Sequence, residues 1–174
     1  MGVMTDAGRA AMAKSVKEQP IFLALGLGNA EWGENPPPED ISSTALLEEI
    51  GRKALSRSLY VLPDTEGTIE VPISIVTDED GAQHVETERY AVSETPTRHL
   101  YVEFNLDYAD ALGCTLRELG LFVGSVLKPG LSSGKTYFSA DDFDDPGLLF
   151  QLEYREPMVR RAESRMSFAW VLSI

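Results

Sequence analysis

The sequence has little that speaks for chemistry. Among 174 residues there is one cysteine, Cys114, and there are two histidines, His84 and His99. A lone cysteine cannot close an intrachain disulfide, which fits synthesis in a reducing cytoplasm. Neither histidine has a cysteine or histidine at metal-ligand spacing, so both read as ordinary strand residues and no metal or other cofactor is implied. No apolar run approaches 18 residues, which argues against a membrane-spanning helix. Residues 1–20 carry charges throughout and have no apolar centre, so they do not read as a secretory signal. Basic residues are scarce: 15 Lys and Arg stand against 28 Asp and Glu, for a net charge of -13. That field repels phosphate and anionic headgroups, which argues against nucleic acid and membrane insertion. It serves solubility, or an acidic face that meets a basic partner.

What is present is an apolar pattern that changes period along the chain. The length suits one domain over residues 1–174. TDAGRAAMAKSVKE (5–18) reads as a helix capped by Thr5 or Asp6 and ended by Pro20. IFLALGLGN (21–29) reads as a buried strand running into a loop. The loop 30–43 contains Pro36, Pro37 and Pro38 in a row, so it is extended chain with few N–H groups for a sheet. TALLEEIGRK (44–53) predicts a second short helix capped by Ser42 or Ser43. Beyond residue 55 the period is two. Ile69, Val71, Ile73 and Ile75 share one face, as do Val102, Phe104, Leu106 and Tyr108, and then Leu148, Phe150, Leu152 and Tyr154. The last such face is Met166, Phe168, Trp170, Leu172 and Ile174, and DEDG (78–81) marks a hairpin turn. The expected fold class is α+β: mainly antiparallel, sandwich-like β, with an N-terminal helix and one or two further short helices.

No catalytic set is complete, and the chain reads as a non-enzyme. GLGN (26–29) lacks the third glycine and the helix of a dinucleotide site, and GLSSGKT (130–136) has three residues between its glycines where a phosphate loop needs four. SADDFDD (139–145), in the long loop 127–146, lacks the glycine and distal glutamate of a calcium loop and reads as a turn capped by Ser139. Glu103, Asp107 and Glu118 are of the right type for glycoside hydrolysis, but nothing singles them out.

CTLRELGLFVGSVLKPG (114–130) sets Arg117 and Glu118 side by side at the head of a buried strand. Adjacent strand residues leave on opposite faces, so each needs its own partner. The reading is a structural joint of Arg117, Glu118 and Gly120, with Arg117 paired to a carboxylate from 105–110. Trp32, Pro36, Pro37 and Pro38 form one candidate interface, and Tyr137 and Phe138 a second. The alternative for Trp32 is that it tucks into its own core.

Five stretches in order resemble the bacteriophage tail-collar fibre family. They are MTDAGRAAMAKSVKEQP, the strand ending in GLGN, ALLEEIGRK, HLYVEFNLDYADALGCTLRELGLFV, and LKPG with the closing RMSFAWVLSI. The hairpin between residues 69 and 92 is longer than that family's pattern. The resemblance implies a stand-alone attachment domain without the receptor-binding shaft. It would be a structural virion protein of the tail or baseplate, an adaptor that forms homo-oligomers and holds tail fibres. The alternatives are a carbohydrate-binding or carbohydrate-cleaving module at the host surface and a fibre assembly chaperone.

Overall fold

The computed structural model describes residues 2–77 and 83–174; the turn expected at 78–81 and the side chain of Ile75 lie outside the described residues. A helix α1 (Asp6–Lys17) is followed by β1 (Ile21–Gly26), β2 (Glu49–Ala54), β3 (Arg57–Pro63), β4 (Ile69–Thr77), β5 (Gln83–Ser93) and β6 (His99–Leu106). Then come β7 (Thr115–Val123), β8 (Val126–Leu127), β9 (Tyr137–Phe138), β10 (Phe143–Asp145), β11 (Leu148–Val159) and β12 (Met166–Ser173). The chain is mainly antiparallel β, as expected. It gathers into two compact units: Met1–Glu18, Arg57–Glu103 and Phe168–Ile174 form one, Gln19–Ser56 and Phe104–Ser167 the other.

In the first unit the sheet order is β12-β6-β3-β5-β4. Val61, Ile69, Val71, Tyr90 and Tyr101 are its core, with Leu59, Ala169 and Val171 packed against them. The alternation expected on β4 holds for Ile69 and Val71 but not for Ile73, which is exposed. Ile73 is the extra residue of a bulge: Pro72 faces Thr87 while Ser74 faces Glu86. An inserted residue breaks the two-residue alternation at its own position. The α1 cap is the expected one, Thr5 Oγ1 accepting the Gly8 N–H at 3.2 Å, a contribution of about 1 kcal/mol.

The second unit holds the sheet β11-β7-β1-β2-β9. All six residues of β1 are buried, as a continuous apolar run between two neighbours should be. An aromatic trio closes one part of the core: Phe22 lies edge-on to Phe143 at 5.1 Å and to Phe138 at 5.7 Å. Burying each ring contributes about 1.5–3 kcal/mol.

The expected helix over 44–53 is not formed. Its last residues are β2, in register with β1 through Phe22↔Ala54 and Leu25↔Gly51. Among the described residues α1 is the one α-helix, and the other helical turns are three-residue 3-10 turns at Ala30–Trp32 and Ala140–Asp142. The face expected from Leu148, Phe150, Leu152 and Tyr154 is also broken. Leu149 faces Phe122 and Gln151 faces Leu121, so Phe150 is inserted. Leu149 and Leu152 consequently pack with Ala24, Leu46 and Phe122, while Leu148 and Phe150 are left 76% and 45% exposed.

Candidate functional site

β7 lies between β1 and β11, and its second charged residue faces a glycine: Glu118 is opposite Gly26 on β1. A Cβ at Gly26 would sit 2.4 Å from both Cγ and Oε1 of Glu118, so the glutamate side chain fills the space a side chain there would need. From that position Glu118, 0% exposed, reaches both ends of the excursion from 28 to 47. Its Oε1 accepts the N–H of Gly28 at 3.2 Å and of Glu48 at 2.8 Å, and its Oε2 accepts the N–H of Leu47 at 3.0 Å. The Leu27 N–H adds a backbone bond to the Glu48 carbonyl at 2.9 Å. One carboxyl thus closes the neck of the loop from 28 to 47, whose two ends meet at Glu118. Two residues on, Gly120 supplies a socket. A Cβ there would lie 2.4 Å from Leu46 Cδ1, so the loop's apolar anchor is seated beside its polar tie. Gly26→Ala is expected to push Glu118 off these amides and to lower stability by about 2 kcal/mol, the scale of an overpacked core site, read as a shift of the urea midpoint at unchanged slope.

Arg117 leaves on the opposite face, as its adjacency requires. It does not pair with a carboxylate of 105–110. Its Nη1 donates to the Leu27 carbonyl at 3.3 Å, and its Nε is buried without a hydrogen-bond partner. Its Cβ lies 3.0 Å from the Cβ position of Gly28, which adopts φ +56°, and Trp32 Cζ3 lies 2.7 Å from that position. Both the left-handed backbone and the overlying ring therefore call for glycine at 28.

The body of the loop is held against β11. The Trp32 ring packs on Tyr154 with centroids 4.5 Å apart, and Glu39 Oε1 accepts the Tyr154 N–H at 3.0 Å. Asn29 Oδ1 accepts the Glu31 N–H at 2.9 Å and starts the turn that carries Trp32. Asp40 takes the Ser42 N–H and hydroxyl at 2.9 and 2.7 Å; the backbone N–H, then the hydroxyl, hold its carboxyl below the usual range. Trp32 and Pro36 are half-buried, and Pro37 and Pro38 are exposed.

A different cation pins the 105–114 turn. Lys53, 3% exposed, donates to Asp110 Oδ2 at 2.6 Å, to Thr136 Oγ1 at 2.9 Å and to Asp107 Oδ2 at 3.1 Å. The hydrogen bond and charge of Lys53 hold the Asp107 carboxyl below its ordinary value. Arg160, 1% exposed, donates to the carbonyls of Asp107 at 2.8 Å and of Asp110 and Ser164 at 3.2 Å. Sequence reasoning missed Lys53, Asp110 and Arg160, which lie 50 or more positions apart in the pairs that matter. The only signal was their type, since a buried charge needs a partner.

In the second candidate interface, Phe138 is core, 4% exposed in the aromatic trio, and is not part of a free surface. Tyr137 is half-buried, its hydroxyl donating to the Ile50 carbonyl at 3.4 Å; burial pushes that hydroxyl up to about 12. The cap at Ser139 is present: Asp142 Oδ2 accepts the Ser139 N–H at 2.7 Å and the Lys135 ammonium at 2.6 Å. Lys135 first, then Ser139, hold the Asp142 carboxyl low. Among the described residues no group of three or more His, Cys, Asp or Glu is placed to hold a metal, and no helix is long and apolar enough to cross a membrane.

Over residues 1–174 the chain matches the family described as baseplate wedge 3 tail fiber network component. No curated protein matches it. The family is one of phage baseplate and tail fibre, the kind the resemblance implied, though its description is not that of the tail-collar family. The chain belongs to the baseplate wedge 3 tail fiber network component family.

Proposed function

We propose that this protein is a non-catalytic structural part of the phage particle, an adaptor that self-associates and attaches fibres to the baseplate in the manner of a tail-collar attachment domain. One observation carries the reading: a loop of about twenty residues that exposes Pro37 and Pro38 is tied at its neck and its body to a β scaffold. A loop ordered in advance loses little conformational freedom when a partner covers it. Trp32, Pro36, Pro37, Pro38 and the half-buried Tyr137 are the contact residues of this proposal. Several copies around the tail axis would share the contact, as closed symmetry requires.

Light scattering coupled to size exclusion tests this, with the protein alone and then mixed with the fibre and wedge proteins of the same phage. The expected result is a defined oligomer that takes up one of them. A monomer that ignores all of them contradicts the adaptor, and a glycan screen would then test the host-surface alternative.

A further inference from the structure

Three consecutive prolines decide their own backbone. Each ring holds φ near about -65°, and a proline that follows bars the helical region to the residue before it. Pro36 and Pro37, each followed by another proline, are therefore polyproline II chain, which turns once in three residues. That period places Pro36 and Glu39 on one face, and this face is turned to the scaffold: Pro36 is half-buried, and Glu39 Oε1 accepts the Tyr154 N–H at 3.0 Å. Pro37 and Pro38, between them, are exposed. A hydrogen-bonded turn bounds the ridge at each end. The Asn35 N–H donates to the Trp32 carbonyl at 3.2 Å, and the Ser43 N–H to the Asp40 carbonyl at 3.0 Å. Tyr154 anchors both ends, since the Trp32 ring ahead of the prolines packs on it with centroids 4.5 Å apart. The loop from 28 to 47 carries Glu31, Glu34, Glu39 and Asp40 and has no Lys or Arg. Glu39 and Asp40 are bonded within the fold, while Glu31 and Glu34 stand exposed ahead of the prolines.

We infer that Pro37 and Pro38 form a polyproline ligand for an aromatic-lined groove with a basic rim on a fibre or wedge protein. Grooves walled by aromatic rings receive polyproline chain because its apolar rings project at fixed spacing and the backbone is already extended. Here the ridge is also held at both ends by Tyr154, so little freedom is lost when the groove closes over it. Pro36 and Glu39 do the holding, which leaves Pro37 and Pro38 to enter the groove. The exposed carboxylates of Glu31 and Glu34 call for Lys or Arg at its rim. The same charges, on a chain of net charge -13, oppose a second copy of this chain as the occupant. This inference deepens the attachment reading above and rests on it for the partner's identity.

The test uses the full chain with isotope-labelled proline, titrated with the unlabelled fibre and wedge proteins of the same phage. On binding, the ring protons of Pro37 and Pro38 are expected to move upfield under the ring currents of the groove, and those of Pro36 to move less. Replacing both exposed prolines, Pro37→Ala with Pro38→Ala, should weaken the complex by about tenfold or more. Glu34→Arg should weaken it several-fold at low salt, with the difference shrinking as salt is added. All three substitutions change exposed residues, and a single cooperative urea transition verifies that the variants fold. The inference is overturned if the double variant binds as the wild type does, if the Pro37 and Pro38 signals do not move upfield in the complex, or if Glu34→Arg binds as well as the wild type at low salt. It is also overturned if sedimentation shows a wild-type dimer that the double variant dissociates, which would assign the ridge to a second copy. The two readings fail distinguishably. A fibre or wedge protein that joins the double variant unchanged leaves the adaptor standing without this ridge, whereas no complex with the wild type at all overturns both.

Discussion

Glu118→Ala is expected to lower the unfolding free energy by about 3–5 kcal/mol, while Arg117→Met, one residue away, changes it by less than about 1 kcal/mol. The contrast lies in the groups each side chain leaves behind. Removing the Glu118 carboxyl strips the N–H groups of Gly28, Leu47 and Glu48 of their acceptor at once. Each unsatisfied donor costs about 1–3 kcal/mol where it stays dry, and water entering the loosened neck recovers part of that. Removing the Arg117 guanidinium frees one carbonyl bonded at 3.3 Å and takes away a buried Nε that had no partner. Glu118→Gln keeps the shape and one oxygen but sets an amide donor against one of the three N–H groups, so it should fall between the two, near 2 kcal/mol. Urea titration of the three variants reads all of this. Equal losses for Arg117→Met and Glu118→Ala would mean that the tie is not made by Glu118.

Lys53→Met is expected to cost about 3–5 kcal/mol, because it leaves Asp110 buried without its counter-charge. Lys53 and Asp110 are nearly enclosed, their side chains 4% and 11% exposed, and the amide of Asp107 also leans on Asp110 Oδ2 at 2.8 Å. The same substitution should change the acid limb of the stability curve. Asp107 in the folded chain sits below its ordinary value because of Lys53. A carboxyl depressed on folding contributes stability that is present above its unfolded value, about 3.9, and lost as pH falls through the folded value. The wild type should therefore lose this contribution below about pH 4, and Lys53→Met should lack it at every pH. In a carboxyl-detected NMR titration, Asp107 should move up to the ordinary carboxylate range in the variant. An Asp107 that titrates identically in both proteins would remove Lys53 as the cause.

Local signals in the sequence were reliable where local physics decided the outcome. The Thr5 and Ser139 caps form because a hydroxyl or carboxylate a few residues away is all they require. The buried run of β1 and the alternating Val102, Phe104 and Leu106 of β6 are written in the side chains themselves, although Tyr108, expected on the same face, lies past the end of β6 and is exposed. The joint at 117–120 was legible as a joint, since adjacent charged residues on a buried strand must each find a partner. The partners were not legible. Residues 44–53 have helix-forming side chains, yet Glu49–Ala54 pair with β1 and β9, and a tertiary ladder outweighs intrinsic propensities of a few tenths of a kcal/mol per residue. The bulges at Ile73 and Phe150 are inserted residues that no composition marks, and each turned an expected buried side chain outward. Assigning Arg117 to the 105–110 turn, with Lys53 and Arg160 overlooked, failed for a related reason: nothing local distinguishes a cation that reaches over 50 or more positions from one that does not. The contact between Trp32 and Tyr154 likewise joins residues far apart in sequence.

One buried carboxyl, that of Glu118, is expected to hold the loop from 28 to 47 in place at its neck before any partner arrives. Amide hydrogen exchange on the free protein measures this directly. The N–H groups of Gly28, Leu47 and Glu48 are expected to exchange as slowly as those in the middle of β7, with rapid exchange confined to the exposed stretch around Ile41. Exchange at Gly28, Leu47 and Glu48 as fast as at Ile41 would contradict it, because the neck would then be open in solution and Glu118 would not be its tie.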